Sequence, residues 1–333
     1  MRRAWRIPIW MRIAVAPLLL LGVVWAVDFS AVGQQLAHAA PGWVLLALAC
    51  SVASNLVSAW RWRSLVCWLG HPLRLGQAER YYFQGIAISA LMPGAVVGGD
   101  VYRALALRRQ GQGSFMAGLS VLLDRFSGLW MLLVLGALAA AWGCGQQTGY
   151  GIAGLGVPGL SRFLCLALAL VLLTVPILTL SAMERYNRWS DWKETNRPVL
   201  QRFAQITVRL GRYAEYRRQL LGSALVQLLS VAAIACAGWS LGLGVPYWCY
   251  AVASVPIFLM ASLPIGFGGW GTREAAATLS LAVFGVGAPA AVAVSVLFGL
   301  LVLPQALVGV GLWLADGRVA SLDTMPVDRK TDA

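Results

Sequence analysis

Asp124 and Arg125 stand side by side inside an otherwise apolar run, Gly118 to Trp142. Insertion of such a charge at the centre of a membrane helix costs about 2.5–3.5 kcal/mol, so residues of this kind face a cavity or a partner. Sequence neighbours do not face one another on a helix. Asp124 therefore needs a separate cation, with Arg103 and Arg273 as candidates, and Arg125 needs a separate anion or a ligand such as a lipid phosphate. The pair reads equally as a structural tie between this span and a neighbouring segment. Two further motifs carry charge: ALMPGAVVGGDVYR from Ala90 to Arg103, and SLPIGFGGWGTRE from Ser262 to Glu274. Each runs Pro, then Gly-Gly, then Arg. Gly98, Gly99 and Arg103 follow Pro93 by five, six and ten residues, and Gly268, Gly269 and Arg273 follow Pro264 by four, five and nine. Asp100 and Arg103 share a helical face, and an acid directly after Gly98-Gly99 caps a helix start there, as Thr272 does in the second motif with Arg273 and Glu274 in its first turn. Glycine-lined helix starts flanked by arginine also suit transient binding of an anionic headgroup. Both roles are compatible.

Other chemistry is absent from the sequence. Only His38 and His71 are histidine, which disfavours a His-based triad or a metal cluster, and no cofactor or metal site is expected. No GxxxxGK[ST] phosphate loop occurs. Cys50, Cys67, Cys144, Cys165, Cys236 and Cys249 show no paired spacing and read as small core residues.

The elements that hold these residues must be membrane helices. Of the 333 residues 59% are apolar and 12% charged, against about 45–50% and about 25% in soluble domains. That excludes a soluble or disordered chain, and the formal charge of +13 is then met by lipid phosphate, not nucleic acid. Six apolar runs reach the roughly 20 residues that cross a bilayer: near 12 to 29, 42 to 60, 117 to 143, 160 to 183, 219 to 241 and 288 to 315. The first is expected to be an uncleaved anchor, since Ala37-His38-Ala39 lies too far beyond it for a signal cleavage site. Segments 77 to 109 and 249 to 285 are apolar but broken by Pro and Gly. Gln77 to Leu91 reaches only about 22 Å as a helix, so neither half spans alone. A hairpin that enters and leaves by one face resolves this, provided that its broken backbone is buried or lines a wet cavity.

Charge sets the orientation. With 77 to 109 re-entrant, 23 of the 26 Lys and Arg fall on one side, including nine between Arg185 and Arg218, and the positive-inside rule makes that side and both termini cytoplasmic. The second hairpin then enters from outside, and Trp25, Trp43, Trp142, Trp248 and Trp270 anchor the outer interface while Trp5, Trp10, Trp60, Trp62 and Trp313 anchor the inner one. The expected fold is an all-α polytopic membrane protein of about six transmembrane helices plus two oppositely oriented broken re-entrant hairpins in an inverted repeat. One membrane domain covers 1 to 315, with repeat 1 about 60 to 143 and repeat 2 about 219 to 315. A basic amphipathic cytoplasmic loop at 184 to 218 meets anionic lipid, and 316 to 333 is a tail.

RWRSL at Arg61 to Leu65, PGAVVGGDVYR at Pro93 to Arg103, DRFSGL at Asp124 to Leu129 and PIGFGGWGTRE at Pro264 to Glu274 together resemble the lysylphosphatidylglycerol synthase transmembrane, or flippase-like, family. The likeness covers most of residues 10 to 315. It implies a bacterial inner-membrane protein that moves a lipid between leaflets, in some members beside envelope lipid or glycan enzymes. Only about 18 residues follow the last span, so the soluble aminoacyl-transferring domain of the full synthase is not expected. The first hairpin is one residue longer between Pro93 and Gly98 than the family spacing. The expectation is a non-enzymatic translocase of an anionic phospholipid or polyprenyl-linked lipid, with no nucleic-acid partner. Arg103, Arg125 and Arg273 would meet the phosphate. Asp124 and Glu274 would balance those charges or carry a coupling proton, Asp100 would stand with them at the substrate site, and Pro93, Pro264 and the glycine pairs would shape the hairpin tips. The alternatives are a non-transporting scaffold that presents lipid to a partner enzyme, and an intramembrane lipid-modifying enzyme with Asp124 or Glu274 as base.

Overall fold

The computed structural model describes residues 29–91, 96–145, 158–189, 212–263 and 270–315. Eleven α-helices and no strand occupy them: α1 (Phe29–Ala37), α2 (Pro41–Trp68), α3 (Leu75–Leu91), α4 (Val96–Arg109), α5 (Ser114–Gly143), α6 (Pro158–Trp189), α7 (Arg212–Ser240), α8 (Tyr247–Ser262), α9 (Thr272–Ala282), α10 (Ala288–Leu300) and α11 (Val302–Ala315). Five stretches are long and apolar enough to cross a membrane, within α2, α5, α6 and α7 and through α10 and α11 together. They match five of the six runs read from sequence. The run at 12 to 29 lies, but for its last residue, outside the described residues, as do Pro93, Pro264, Gly268, Gly269 and the tail from 316. The chain is a multi-pass membrane protein.

Both broken segments are helix pairs too short to cross singly. The 17 residues of α3, 14 of α4, 16 of α8 and 11 of α9 give rods of about 16–25 Å against a core of about 30 Å. The ends of the basic segment at 184 to 218 continue the flanking helices. α6 runs on to Trp189 and α7 begins at Arg212, with 190–211 outside the described residues.

The central pair is α2 against α7, antiparallel along their whole length. Ser64 donates to Glu215 at 2.6 Å, Arg61 to Ser223 at 2.7 Å, Ser54 to the Val226 carbonyl at 3.2 Å, and the Ala40 amide to the Ser240 carbonyl at 2.8 Å. Each of these helices precedes a hairpin, α3–α4 after α2 and α8–α9 after α7. Packing then crosses over: α3 lies on α11, beyond the second hairpin, and α8 lies on α5, beyond the first. Glycines on the long helices permit both approaches. A Cβ on Gly309 of α11 would overlap the Phe83 carbonyl of α3, and one on Gly136 or Gly143 of α5 would overlap Val255 or Trp248 of α8. Small residues of this kind let membrane helices meet closely where lipid gives them no hydrophobic drive to associate.

Prolines account for the irregular spans. Pro304 removes an amide just inside α11, and the long helix is interrupted at Leu301. Pro176 in α6 cannot bond the Leu172 carbonyl, and Trp130 of α5 donates to that oxygen at 2.6 Å while Tyr216 of α7 donates to the next, at Leu173, at 3.1 Å. The broken ladder is thereby satisfied inside lipid and fastens the otherwise lipid-facing α6 to the bundle.

Candidate functional site

Arginine and aspartate from α2, α4 and α5 form one continuous chain. Arg61, seven residues before the end of α2, donates from Nε and Nη2 to Asp124 Oδ1 at 3.2 and 2.8 Å, and from Nη2 to the Asp124 carbonyl at 2.9 Å. Arg103 of α4 donates to the other carboxylate oxygen, Asp124 Oδ2, at 3.0 Å, and with its second nitrogen to Asp100 at 2.7 Å. Arg125 of α5 completes the series, its Nε and Nη2 reaching the two oxygens of Asp100 at 2.8 and 3.2 Å. Helical geometry explains the split. Asp124 and Arg125, adjacent in sequence, point to different sides, so the acid meets Arg61 and Arg103 inside the bundle while Arg125 meets Asp100 further out. Exposure rises along the chain: Arg61, Arg103 and Asp124 are buried, Asp100 is 21% exposed and Arg125 is 43% exposed. The Arg103 guanidinium also lies over the Trp62 and Tyr82 rings, at 5.0 and 4.8 Å from their centroids.

The second hairpin makes its own cluster. Arg273 donates from Nη2 to Glu274 Oε1 at 2.8 Å and from Nε to Ser295 Oγ at 3.1 Å, and Ser295 donates to the same carboxylate oxygen at 2.9 Å. The other oxygen of Glu274 accepts the Gly271 amide at 2.6 Å, which satisfies the free N–H at the start of α9. Gly271 has φ of +85°, a conformation suited to glycine, and it occupies the N-cap position expected for Thr272. Arg273 lies 4.6 Å from the Trp270 ring centroid. A Cβ on Gly299 of α10 would overlap its guanidinium, so that glycine makes room for the arginine.

The two clusters meet at one cavity of about 260 Å³. Asp100, Arg103 and Arg125 line it from the first half, and Trp270 and Arg273 from the second. Ser89 and Gly99 form part of its hairpin wall and Asn55 part of its α2 wall. Asn55 lies at the middle of the 28-residue α2. Three arginines and one aspartate line the space, with Arg61, Asp124 and Glu274 one layer behind, which leaves an excess of one positive charge. The balance favours an anion with phosphate or carboxylate oxygens. Among the described residues no three His, Cys, Asp or Glu side chains gather in a metal-binding group.

Several sequence expectations change. Asp124 does pair with Arg103, but its second partner is Arg61, not Arg273, which belongs to Glu274. Asp100 caps no helix start among its bonds: α4 begins at Val96, and its carboxylate is held by Arg103 and Arg125. Gly98 and Gly99 therefore sit inside the first turn of α4. Gly99 serves close packing, since a Cβ there would overlap the Gly85 carbonyl of α3 and come within 2.5 Å of Ser89 Oγ. Trp62 is fully buried beneath Arg103 and is therefore no interfacial anchor, and Trp270 lines the cavity. Arg61 and Trp62 escaped the sequence reading because RWRSL follows the apolar run of α2 and looks like its exit into a loop. The helical period continues to Trp68 and turns Arg61, Trp62, Leu65 and Val66 inward.

A family model described as the lysylphosphatidylglycerol synthase TM region matches residues 9–309, nearly the whole chain, and the chain belongs to that family. A search of curated proteins gave no match.

Proposed function

We propose that this member of the lysylphosphatidylglycerol synthase transmembrane family carries an anionic phospholipid or lipid-linked envelope intermediate between the leaflets of a bacterial inner membrane. The single observation that supports it most is the cavity in which Arg103 and Arg125 from one half of the chain face Arg273 from the other, and we place that cavity near the bilayer midplane. A phosphate entering there would compete with Asp100 for Arg125, whose ion pair is the exposed end of the chain and the least costly to exchange. Asp124 would stay with Arg61 and Arg103, holding the site in shape. We read the protein as a carrier and not an enzyme: each acid near the cavity is engaged by arginine, which suits charge balance better than proton abstraction.

We read the bundle as two inverted halves, with both termini cytoplasmic. The antiparallel α2–α7 pair and the crossed packing of each hairpin on the opposite long helix support this reading, and we take each half to begin at α2 and at α7. Rocking of the halves about that pair would expose the cavity first to one leaflet and then to the other. The test is exchange of fluorescent phosphatidylglycerol, phosphatidylcholine and a polyprenyl phosphate across proteoliposome leaflets, read by quenching of the outer leaflet. Faster exchange of an anionic lipid with protein than without supports the carrier. No acceleration of any of them by monodisperse protein would contradict it and favour a scaffold that only presents lipid.

A further inference from the structure

The first hairpin is a wall between two polar spaces. On α3, Tyr82 lines the midplane cavity while Tyr81 lines another, and on α4 the same holds for Arg103 and Tyr102. The second space, about 420 Å³, lies where the hairpin's open ends meet the end of α11. Two cations, Arg80 and Arg109, are among its lining residues. Three aromatic side chains, Tyr81, Tyr102 and Trp313, share the lining with two carboxamides, Gln77 and Gln110. A pocket facing lipid alone would need neither the amides nor the paired guanidinium groups.

Several of these groups are held in place beforehand. Gln110 donates to the Tyr81 hydroxyl at 2.7 Å, and its amide oxygen lies 3.5 Å from His71 Nε2. Tyr102 donates its hydroxyl proton to Gln84 at 2.6 Å. Aromatic faces, carboxamides and two arginines around one space ask for three things in one ligand. Guanidinium forks match phosphate oxygens. Carboxamides donate and accept together, as vicinal hydroxyls do. Aromatic rings offer flat apolar faces with a polar tip, which suit the C–H faces of a sugar ring. The volume is within the range of about 300–1,000 Å³ usual for small-ligand sites.

We propose that this second cavity binds a hexose phosphate, either free or as the headgroup of a lipid. Arg80 and Arg109 take the phosphate, the aromatics take the ring faces, and Gln77 and Gln110 take the hydroxyls. The lipid form rests on the carrier reading above, with this cavity selecting a headgroup that the midplane cavity then passes. Binding of the hexose phosphate itself does not rest on it.

The experiment is calorimetric titration of the full chain in phosphatidylcholine nanodiscs with glucose 1-phosphate, glycerol 3-phosphate, inorganic phosphate and a ten-carbon isoprenyl phosphoglucose. Glucose 1-phosphate is expected to bind at least about tenfold more tightly than the two ringless phosphates, a difference of about 1.4 kcal/mol. Trp313→Leu should remove that ring preference while phosphate still binds, and Arg80→Gln with Arg109→Gln should weaken all four ligands. Trp313 is 39% exposed near the end of the last described helix and Arg109 is exposed, so these changes spare the core. Tighter binding of the isoprenyl compound than of glucose 1-phosphate assigns the lipid source, and equal binding assigns the free sugar phosphate. Equal affinity for all the phosphates, a ring preference unchanged in Trp313→Leu, or loss of binding in Arg125→Gln instead would each overturn the assignment. Titration requires no transport, so failed leaflet exchange would sink the carrier and leave this site standing.

Discussion

Replacing Asp124 by asparagine strikes the one carboxylate that two buried arginines share. Asp124 is 2% exposed and accepts Arg61 at 2.8 Å and Arg103 at 3.0 Å, on different oxygens. Asparagine keeps one acceptor but turns an NH2 group toward a guanidinium, so Arg61 loses its carboxylate partner and Arg103 keeps the partly exposed Asp100. Breaking a buried pair on one side costs about 3–5 kcal/mol, because the surviving charge cannot regain water. Against a total stability of about 5–15 kcal/mol, the variant should still fold yet lose its margin against heat. Adding Arg61→Leu removes one stranded cation, so the double variant should be less destabilised than the sum of the single changes by about 1–3 kcal/mol. Reversible unfolding of the detergent-solubilised protein by titration with sodium dodecyl sulfate measures both quantities. A loss below about 1 kcal/mol for Asp124→Asn, with strict additivity in the double variant, would refute the reasoning, since it would mean that the carboxylate is reached by water and binds neither arginine firmly.

Arg125→Gln should separate stability from transport: its pair with Asp100 is open enough to be worth about 0–1 kcal/mol, so the unfolding midpoint barely moves while exchange of anionic lipid falls by about tenfold or more. Gly99→Ala should force α3 and α4 apart and cost about 1–3 kcal/mol, readable in the same unfolding assay. Gly299→Ala should push the Arg273 guanidinium off its shelf, lowering anionic-lipid exchange with less effect on a zwitterionic control. Glu274→Gln removes a buried partner of Arg273 and should destabilise by about 3–5 kcal/mol, whereas Glu215→Gln, whose arginine partner Arg218 is exposed, should cost distinctly less in unfolding titrations.

Hydropathy made the long helices legible because a bilayer imposes a minimum apolar length, and α2, α5, α6, α7 and α10–α11 meet it openly. Pro and Gly clusters likewise mark both broken segments in the sequence. A charge inside an apolar run, as at Asp124, announces a buried partner without naming it. Naming it required tertiary contact: Arg61 comes from α2, 63 residues away, and the short RWRSL motif gives no sign of whether its arginines turn inward. The glycine pair misled for a related reason. Gly98-Gly99 marks both a helix start and a close helix approach in sequence, and only the position of Gly85 across the hairpin selects the second. Trp270 shows the same ambiguity, since an indole suits a membrane interface and an arginine face equally.

The central claim is that lipid headgroups pass through the cavity between the two halves, and a reversible plug tests it most directly. Ser89 lines that cavity on α3, so Ser89→Cys in a protein whose six native cysteines are replaced by alanine or serine accepts one bulky thiosulfonate adduct there. Leaflet exchange of phosphatidylglycerol in proteoliposomes would be followed before labelling, after it, and after dithiothreitol. The account predicts loss of exchange on labelling and recovery on reduction, with the same reagent without effect on the cysteine-free protein. Exchange that continues unchanged through a fully labelled Ser89→Cys protein would contradict it.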